Sequence, residues 1–344
     1  MAIGMADVGL LLLSFFIPFL FVVVGFPAYL RSLVRRGRVL DDVHKSPPTK
    51  VPGPVGPMLF LAALLGELVV AGGFDSLAPV AVILGAGVAF AVGMIDDLYV
   101  LGGRAKPLLL VLAGLAFVGV GLAKTNLYQS ALTFPLLGDT NAHFFIYTAL
   151  VVVAFPVVAN AFNMMDSFNG EISWFTLLTS LALLLGATLH FAYGSGISLT
   201  RVAAVLPLVA VAAAFLIFNR YPARAFDGDS GALMFGAMFV GLAITCGVEI
   251  AAMIAIVPAI LNSFYTLSSV RGFVERRKMG ARPTYLGGDN KLHASMEREA
   301  PSTLVRLILL AGPLSEDDLV KDIIVLTSVA CLLSAVISIL TWVI

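Results

Sequence analysis

Three short stretches of this sequence hold residues whose types and spacing could do chemistry. In GMIDDLYVLGGRAKPLLL, Asp96 and Asp97 are adjacent, and Lys106 follows at the start of the next apolar run. NAFNMMDSFNGEIS carries Asn160, Asn163, Asp166 and Asn169, each three residues from the next. FNRYPARAFDGDSGALMFG crowds Arg220, Arg224, Asp227 and Asp229 into one turn. Carboxylates and amide oxygens are hard donors that suit Mg²⁺ held jointly by protein and phosphates. Lys106 lies at an expected helix N-terminus, where a cation is misplaced unless an anion joins it, so the position suits a phosphate. Together the stretches point to a divalent cation and a phosphorylated ligand.

Each stretch also has a plainer reading. A helix C-terminus already carries partial negative charge, so Asp96 and Asp97 there need either a cation or full solvation. Neighbouring helical residues diverge by about 100°. One acid can therefore face a site while the other holds a partner. Asp97, nearer the aqueous mouth and Lys106, is expected to face the site, with Asp96 holding a basic or amide group. Lys106 could equally be an interfacial anchor. The four polar residues of the second stretch cannot share one stripe, because a three-residue row drifts by about 60° per step. Asn160 and Asn163 fit the end of a helix and Asn169-Gly170 a turn; such amides can serve a base edge, a metal or a neighbouring helix. Gly228 and Gly231 flank Asp229 and allow backbone N–H groups to approach a ligand, or Asp229 is a solvated cap. Glu67 and His190 are expected to be structural. The sequence has no zinc-ligand spacing, P-loop or Ser-His-Asp pattern.

The elements that must position these groups are membrane helices. The 344 residues are 60% hydrophobic and 12% charged, against about 25% charged in soluble domains. The expected fold is an all-α integral membrane protein, a bundle of about ten transmembrane helices near 7–30, 54–72, 77–95, 107–123, 144–162, 172–193, 202–218, 231–247, 250–268 and 322–344. The chain reads as a single transmembrane catalytic domain over 1–344. A long polar loop at 270–320 is basic in RGFVERRKMGARPTYLGGDNKLH and could cover the site or attract lipid head groups; the apolar run at 303–314 is too short to span. Nineteen of the 21 Lys and Arg fall in alternate loops, leaving Lys124 and Arg201 for the other side. By the positive-inside rule both termini lie outside and the charged loops are cytoplasmic. The acids of the three stretches follow the same face. A net charge of +0 gives no reason to expect nucleic acid, and the two cysteines, Cys246 and Cys331, lie in apolar runs.

At these residues the chain resembles the polyprenyl-phosphate N-acetylhexosamine-1-phosphate transferases of glycosyltransferase family 4. DDLYVLGGRAKPLLL is similar to the family's Asp-Asp motif with its downstream Lys, NAFNMMDSFNG to its Asn/Asp loop, and FNRYPARAFDGDSGALMFG to its Gly-Asp-x-Gly motif. The resemblance covers nearly the whole chain. It implies that a polyprenyl or dolichyl phosphate attacks the β-phosphorus of a UDP-amino sugar, by default UDP-GlcNAc, and UMP leaves. It implies Mg²⁺, or Mn²⁺ in its place, bound by Asp229 with Asn163 beside it. Asp96, Asp97 and Lys106 match catalytic positions. Asn160, Asp166, Asn169, Arg224, Arg282 and Lys50 match or neighbour substrate-binding ones. A homodimer in a prokaryotic plasma membrane, archaeal by its last loop, is also implied. RRKMGARPTYL lacks the His of the peptidoglycan enzyme, which argues against a MurNAc-pentapeptide substrate.

Two alternatives remain at this level: phospho-MurNAc-pentapeptide translocase, and a secondary transporter of a nucleotide or phosphorylated solute. A transporter should place its ionisable residues near mid-membrane, whereas these acids gather at one face. Cysteine probes at Gly102 and Gly287 are expected to react only from the cytoplasmic side and a probe at Asp139 only from outside. Reversed labelling would overturn the orientation.

Overall fold

The structure is a computed structural model that describes residues 4–74, 76–123, 131–136, 138–141, 143–194, 197–272 and 280–344. Lys124 and the Arg276-Arg277-Lys278 run of the basic loop lie outside the described residues.

The first helix, α1 (Met5–Arg35), runs into a hairpin of β1 (Val39–Asp42) and β2 (Thr49–Pro52). Then follow α2 (Gly56–Phe74), α3 (Ala78–Tyr99) and α4 (Ala105–Ala123), a hairpin of β3 (Ala131–Phe134) and β4 (Gly138–Asn141), and α5 (Phe144–Met165). The second half holds α6 (Glu171–Tyr193), α7 (Leu199–Ala203), α8 (Leu206–Asn219), α9 (Gly228–Cys246), α10 (Glu249–Ala255) and α11 (Val257–Ser269). A hairpin of β5 (Thr284–Leu286) and β6 (Leu292–Ala294), the short α12 (Leu304–Leu309) and the long α13 (Glu316–Trp342) complete the chain. Among the described residues nine helices are long and apolar enough to cross a membrane, counting α7 and α8 as one, and α10 with α11 makes a tenth candidate. The protein is an all-α, multi-pass integral membrane protein.

Two spans differ from the simple rods expected from hydropathy. The ninth is broken, with α10 and α11 meeting at 65°; Pro258 opens α11 and cannot donate to a continuing helix. The seventh is interrupted at Ala204-Val205 ahead of Pro207, at the start of α8. The expected short segment at 303–314 forms only α12, six residues long, with Thr303 capping it by accepting from the Arg306 N–H. The three hairpins had no counterpart in the sequence-based reading, because strands of four residues or fewer leave no period to detect.

Helix α9 is the axis of the bundle. Its apolar stretch is 94% buried, against 17% for α1 at the rim. Helices α3 and α5 pack most extensively on it. Lipid tails are as apolar as the side chains, so association in a membrane rests on close packing and small residues at the contacts. The sequence of α9 supplies them in Gly231, Ala232, Gly236 and Ala237. Gly93 on α3 lies so close to α9 that an added Cβ would stand 2.5 Å from the Asp229 carbonyl oxygen and 2.5 Å from the Ser230 Cα. Around this axis Phe155, Phe162, Phe175, Phe215, Phe235 and Phe239 are fully buried.

At the end of the bundle that holds the C-terminus of α9, the polar residues are mostly satisfied. His190 Nδ1 lies 2.7 Å from the Cys246 carbonyl oxygen, and its ring stacks on Trp342. Arg201 donates to the Thr245 carbonyl at 2.9 Å, and Tyr147 donates to Glu249 at 2.6 Å. Glu67 is the exception: it is buried on α2, and neither carboxyl oxygen has a hydrogen-bond partner among the described residues. Nothing in the structure explains it.

Gly93→Ala should lower stability by about 1–3 kcal/mol, since the atoms it would strike are backbone and cannot swing aside. Gly119→Ala on α4, with nothing within 4 Å of the added carbon, should leave the melting midpoint in detergent unchanged. Equal midpoints for the two variants would contradict the close α3–α9 contact.

Candidate active site

The polar end of α9 gathers residues from four helices. Alternating spans put the C-termini of α3 and α5 beside the N-termini of α4 and α9, and the three polar stretches sit at those ends. The first turn of α9 has N–H groups with no intrahelical acceptor. Asp97, in the last turn of α3, supplies the acceptors: its Oδ1 takes the Asp229 N–H at 2.8 Å and its Oδ2 the Ser230 N–H at 3.1 Å. Gly228, at φ +73°, makes the turn that delivers these groups, and a Cβ there would lie 2.8 Å from Asp97 Oδ1.

Asp229 is the focus of the remaining contacts. Lys106, in the first turn of α4, places Nζ 3.0 Å from Asp229 Oδ1 and also pairs with Asp96 Oδ2. Asn163, in the last turn of α5, donates its side-chain N–H to the same Asp229 oxygen. Asp96 accepts the Leu101 N–H with its other oxygen, which folds the start of the α3–α4 loop back on the helix end. Asp229 and Lys106 both keep part of their side chains exposed, at 32% and 16%, so the cluster opens to an aqueous ligand.

The turn leading into α9 is held from both sides. Asn219 is buried, accepting from the Ser173 hydroxyl at 2.8 Å and donating to the Ala225 carbonyl at 3.1 Å. The chain before α2 pairs with the turn through Phe226 N–H to Pro52 O at 3.0 Å, Val55 N–H to Phe226 O at 2.9 Å and Gly56 N–H to Asp227 O at 3.1 Å. Asp227 is thereby buried, and neither of its carboxyl oxygens has a hydrogen-bond partner among the described residues. Burial first, and the charge of Asp166 next, hold its carboxyl well above the ordinary carboxylate range. Asp96, Asp97, Asp166, Asp227 and Asp229 thus share one neighbourhood with a single described lysine, Lys106. That excess of hard oxygen donors, with orphaned buried oxygens on Asp227, fits a small divalent cation such as Mg²⁺.

The structure distributes the expected site residues unevenly. Asp96, Asp97, Lys106, Asn163 and Asp229 come together, with Asp166 and Asp227 beside them. Asp96 does hold a basic group, Lys106. Asp97 already spends both oxygens on α9, so the division that gave it to the phosphates and Asp96 to stability is not what the geometry displays. Asn160 donates to the Pro156 carbonyl of its own helix at 2.8 Å. Asn169 is buried, bonded to Asp42, Glu316 and the Ala223 N–H, so it ties loops together. Arg224 is exposed, with its guanidinium on the Ile217 carbonyl and over the Phe218 ring. Arg282 and Lys50 are exposed on the β5 approach and on β2. Asn219, Asp42 and Glu316 were missed by sequence reasoning; a lone Asn closing the apolar run LIFN was the one available signal.

With this geometry in hand, the likeness to known proteins is informative. Residues 79–247 match a family model described as glycosyl transferase family 4, a segment that runs from the start of α3 to the end of α9. The chain is 26% identical over 256 residues to a Saccharolobus solfataricus protein provisionally named UDP-N-acetylglucosamine--dolichyl-phosphate N-acetylglucosaminephosphotransferase, covering 73% of this chain and 75% of the relative. It is 23% identical over 226 residues to a Bacillus subtilis protein provisionally named undecaprenyl-phosphate N-acetylglucosaminyl 1-phosphate transferase, covering 66% of this chain and 60% of the relative. It is 29% identical over 256 residues to a Campylobacter curvus phospho-N-acetylmuramoyl-pentapeptide-transferase, covering 67% of this chain and 71% of the relative.

Because Asp97 caps α9, Asp97→Asn should cost stability as well as any activity. An amide keeps one acceptor and turns an NH₂ toward the other N–H, a loss of about 1–3 kcal/mol for a buried unsatisfied donor. Thermal melting in detergent reads it; an unchanged midpoint would remove the capping role.

Proposed function

From the match of residues 79–247 to glycosyl transferase family 4, a segment that spans the helices carrying the site, we propose that this protein transfers a sugar-1-phosphate from a UDP-amino sugar to a polyprenyl phosphate and releases UMP. The sugar is GlcNAc-1-phosphate and the lipid dolichyl or a related polyprenyl phosphate, as in the first two relatives' names. The observation that carries the reading is the convergence of Lys106, Asn163 and the Asp97-capped N-terminus of α9 on Asp229.

Phosphoryl transfer asks little covalent work of a protein; it asks for charge compensation and in-line placement. A lipid phosphate oxygen forms the new bond to the β-phosphorus. The bond from that phosphorus to the bridging oxygen breaks, and the electron pair leaves with UMP. The lipid phosphate is already anionic near pH 7, so no strong base is needed, and direct attack is favoured over an aspartyl-phosphate. Asp229, Asn163 and Asp227 are the donors that would hold Mg²⁺, which neutralises diphosphate charge when bound. Lys106, now shared between Asp96 and Asp229, is placed to exchange a carboxylate for a phosphate oxygen. Asp96 then acts as the group that returns Lys106 to its position. The reading includes a homodimer by resemblance alone. Its cytoplasmic orientation is supported by the distribution of Lys and Arg.

A second reading has specific support: the Campylobacter curvus relative is named for a phospho-MurNAc-pentapeptide. Purified protein, polyprenyl phosphate and a panel of UDP-sugars separate the readings. UDP-GlcNAc should give UMP and a lipid-linked sugar, and a chelator should stop it. Turnover of UDP-MurNAc-pentapeptide instead would favour the second reading, and no UMP with any donor would favour a carrier. Asp229→Ala should retain under about a tenth of the activity at saturating Mg²⁺, a loss above 1.4 kcal/mol, with the fold intact; retention of more would remove the metal role.

A further inference from the structure

A second cluster of titratable residues lies outside the Asp229 site. Asp42 closes β1, His44 follows in the hairpin turn, and Glu316 opens α13. One ligand atom from each lies within 4.8 Å of the other two. Asp42 and Glu316 are buried, at 2% and 6% exposure. The His44 ring stacks on Phe168 with centroids 4.5 Å apart, which fixes the imidazole beside the two acids.

The hydrogen bonds account for some of these atoms and leave one without purpose. Asp42 Oδ1 accepts the His44 N–H at 3.3 Å, while Oδ2 accepts from the Asn169 amide at 3.1 Å and pairs with Lys45. Glu316 Oε1 accepts both the backbone and side-chain N–H of Asn169. Glu316 Oε2 is buried with no hydrogen-bond partner among the described residues. Helix capping does not explain Glu316. Ser315 caps α13 by accepting the Asp318 N–H, and Asp317 and Asp318 face solvent, where Lys321 pairs with them. Lys45 balances the Asp42 carboxylate from one side, but the buried Glu316 carboxylate meets only the donors of Asn169, with one oxygen unused, and a cation shared by the two acids would complete it.

We propose that Asp42, His44 and Glu316 form a second cation site, for a first-row divalent ion of the Zn²⁺ class, that clasps the first hairpin to the start of the last helix. An ion central to atoms this far apart lies within about 2.8 Å of each, and Zn²⁺ contacts of about 2.0–2.2 Å need only a small side-chain closure. An imidazole nitrogen with two carboxylates selects such an ion over Mg²⁺, which prefers all-oxygen donors. Lys45 has a second seat when the ion displaces it, since its Nζ already lies 5.1 Å from the centre of the Tyr221 ring. Asn169 connects this clasp to the Ala223 N–H in the turn before α9. The inference does not rest on the transferase reading.

The test uses the full chain in detergent, stripped with a chelator and titrated with Zn²⁺ against a large excess of Mg²⁺. About one Zn²⁺ per chain should bind, raise the melting midpoint, and show one nitrogen ligand by X-ray absorption. Two variants preserve the packing and remove ligands: His44→Phe keeps the ring stack, and Glu316→Gln keeps an acceptor for Asn169. Each should weaken Zn²⁺ binding by at least about tenfold, the low end for loss of even an outer partner, while Asp229→Ala should leave it unchanged. No Zn²⁺ uptake, uptake displaced by Mg²⁺, uptake that survives both variants, or uptake lost in Asp229→Ala would each overturn the proposal.

Discussion

Two backbone N–H groups at the start of α9 take their acceptors from Asp97 on α3. Burial in protein leaves no water to stand in for a missing acceptor, and α9 is almost wholly buried. Its first turn must therefore be capped by a neighbouring helix, and the cap fixes how α3 and α9 meet. Gly93 permits the approach, Gly228 makes the turn, and Asp229 is carried to Lys106 and Asn163 as a consequence. The same contact that completes a helix end thus assembles the candidate site.

Charge is the second organising feature. Among the described residues, five aspartates from α3, α5, α9 and the connecting turns crowd around one lysine. Such an arrangement is costly in isolation, and the structure shows the strain in two places. Asp227 is buried without a hydrogen-bond partner among the described residues, and Lys106 divides itself between Asp96 and Asp229. A site built for an incoming cation and an incoming phosphate would carry this imbalance, because each ligand compensates for what the other leaves.

The connecting loops are not passive. Asn169 uses its whole amide to bind β1, α13 and the turn before α9 to one another, and Asn219 holds that turn against α6. Asn262 does the same for the last loop, donating to the Met164 carbonyl and accepting the Leu304 N–H. Three buried asparagines therefore replace the solvent that the loops of a soluble protein would use.

The sequence by itself determined the class of fold and the approximate spans, and it marked the polar residues that gather at one end of the bundle. A membrane helix is a local object: about twenty apolar residues satisfy their own hydrogen bonds, so hydropathy marks them without knowledge of their neighbours. Asp96, Asp97, Lys106, Asn163 and Asp229 were legible for the same reason, as polar residues at the mouths of apolar runs. What the tertiary structure decided was the partnership among them. Asp97 became a cap and Asp96 the partner of Lys106 because helix α9, more than 130 positions later in the chain, presented its N–H groups to one oxygen pair and not the other. Asn169 became a tie between loops because Asp42 and Glu316, distant in sequence, closed on it. The three short hairpins belong with these, since strands of three or four residues carry no period to read; the break between α10 and α11, by contrast, has a local mark in Pro258.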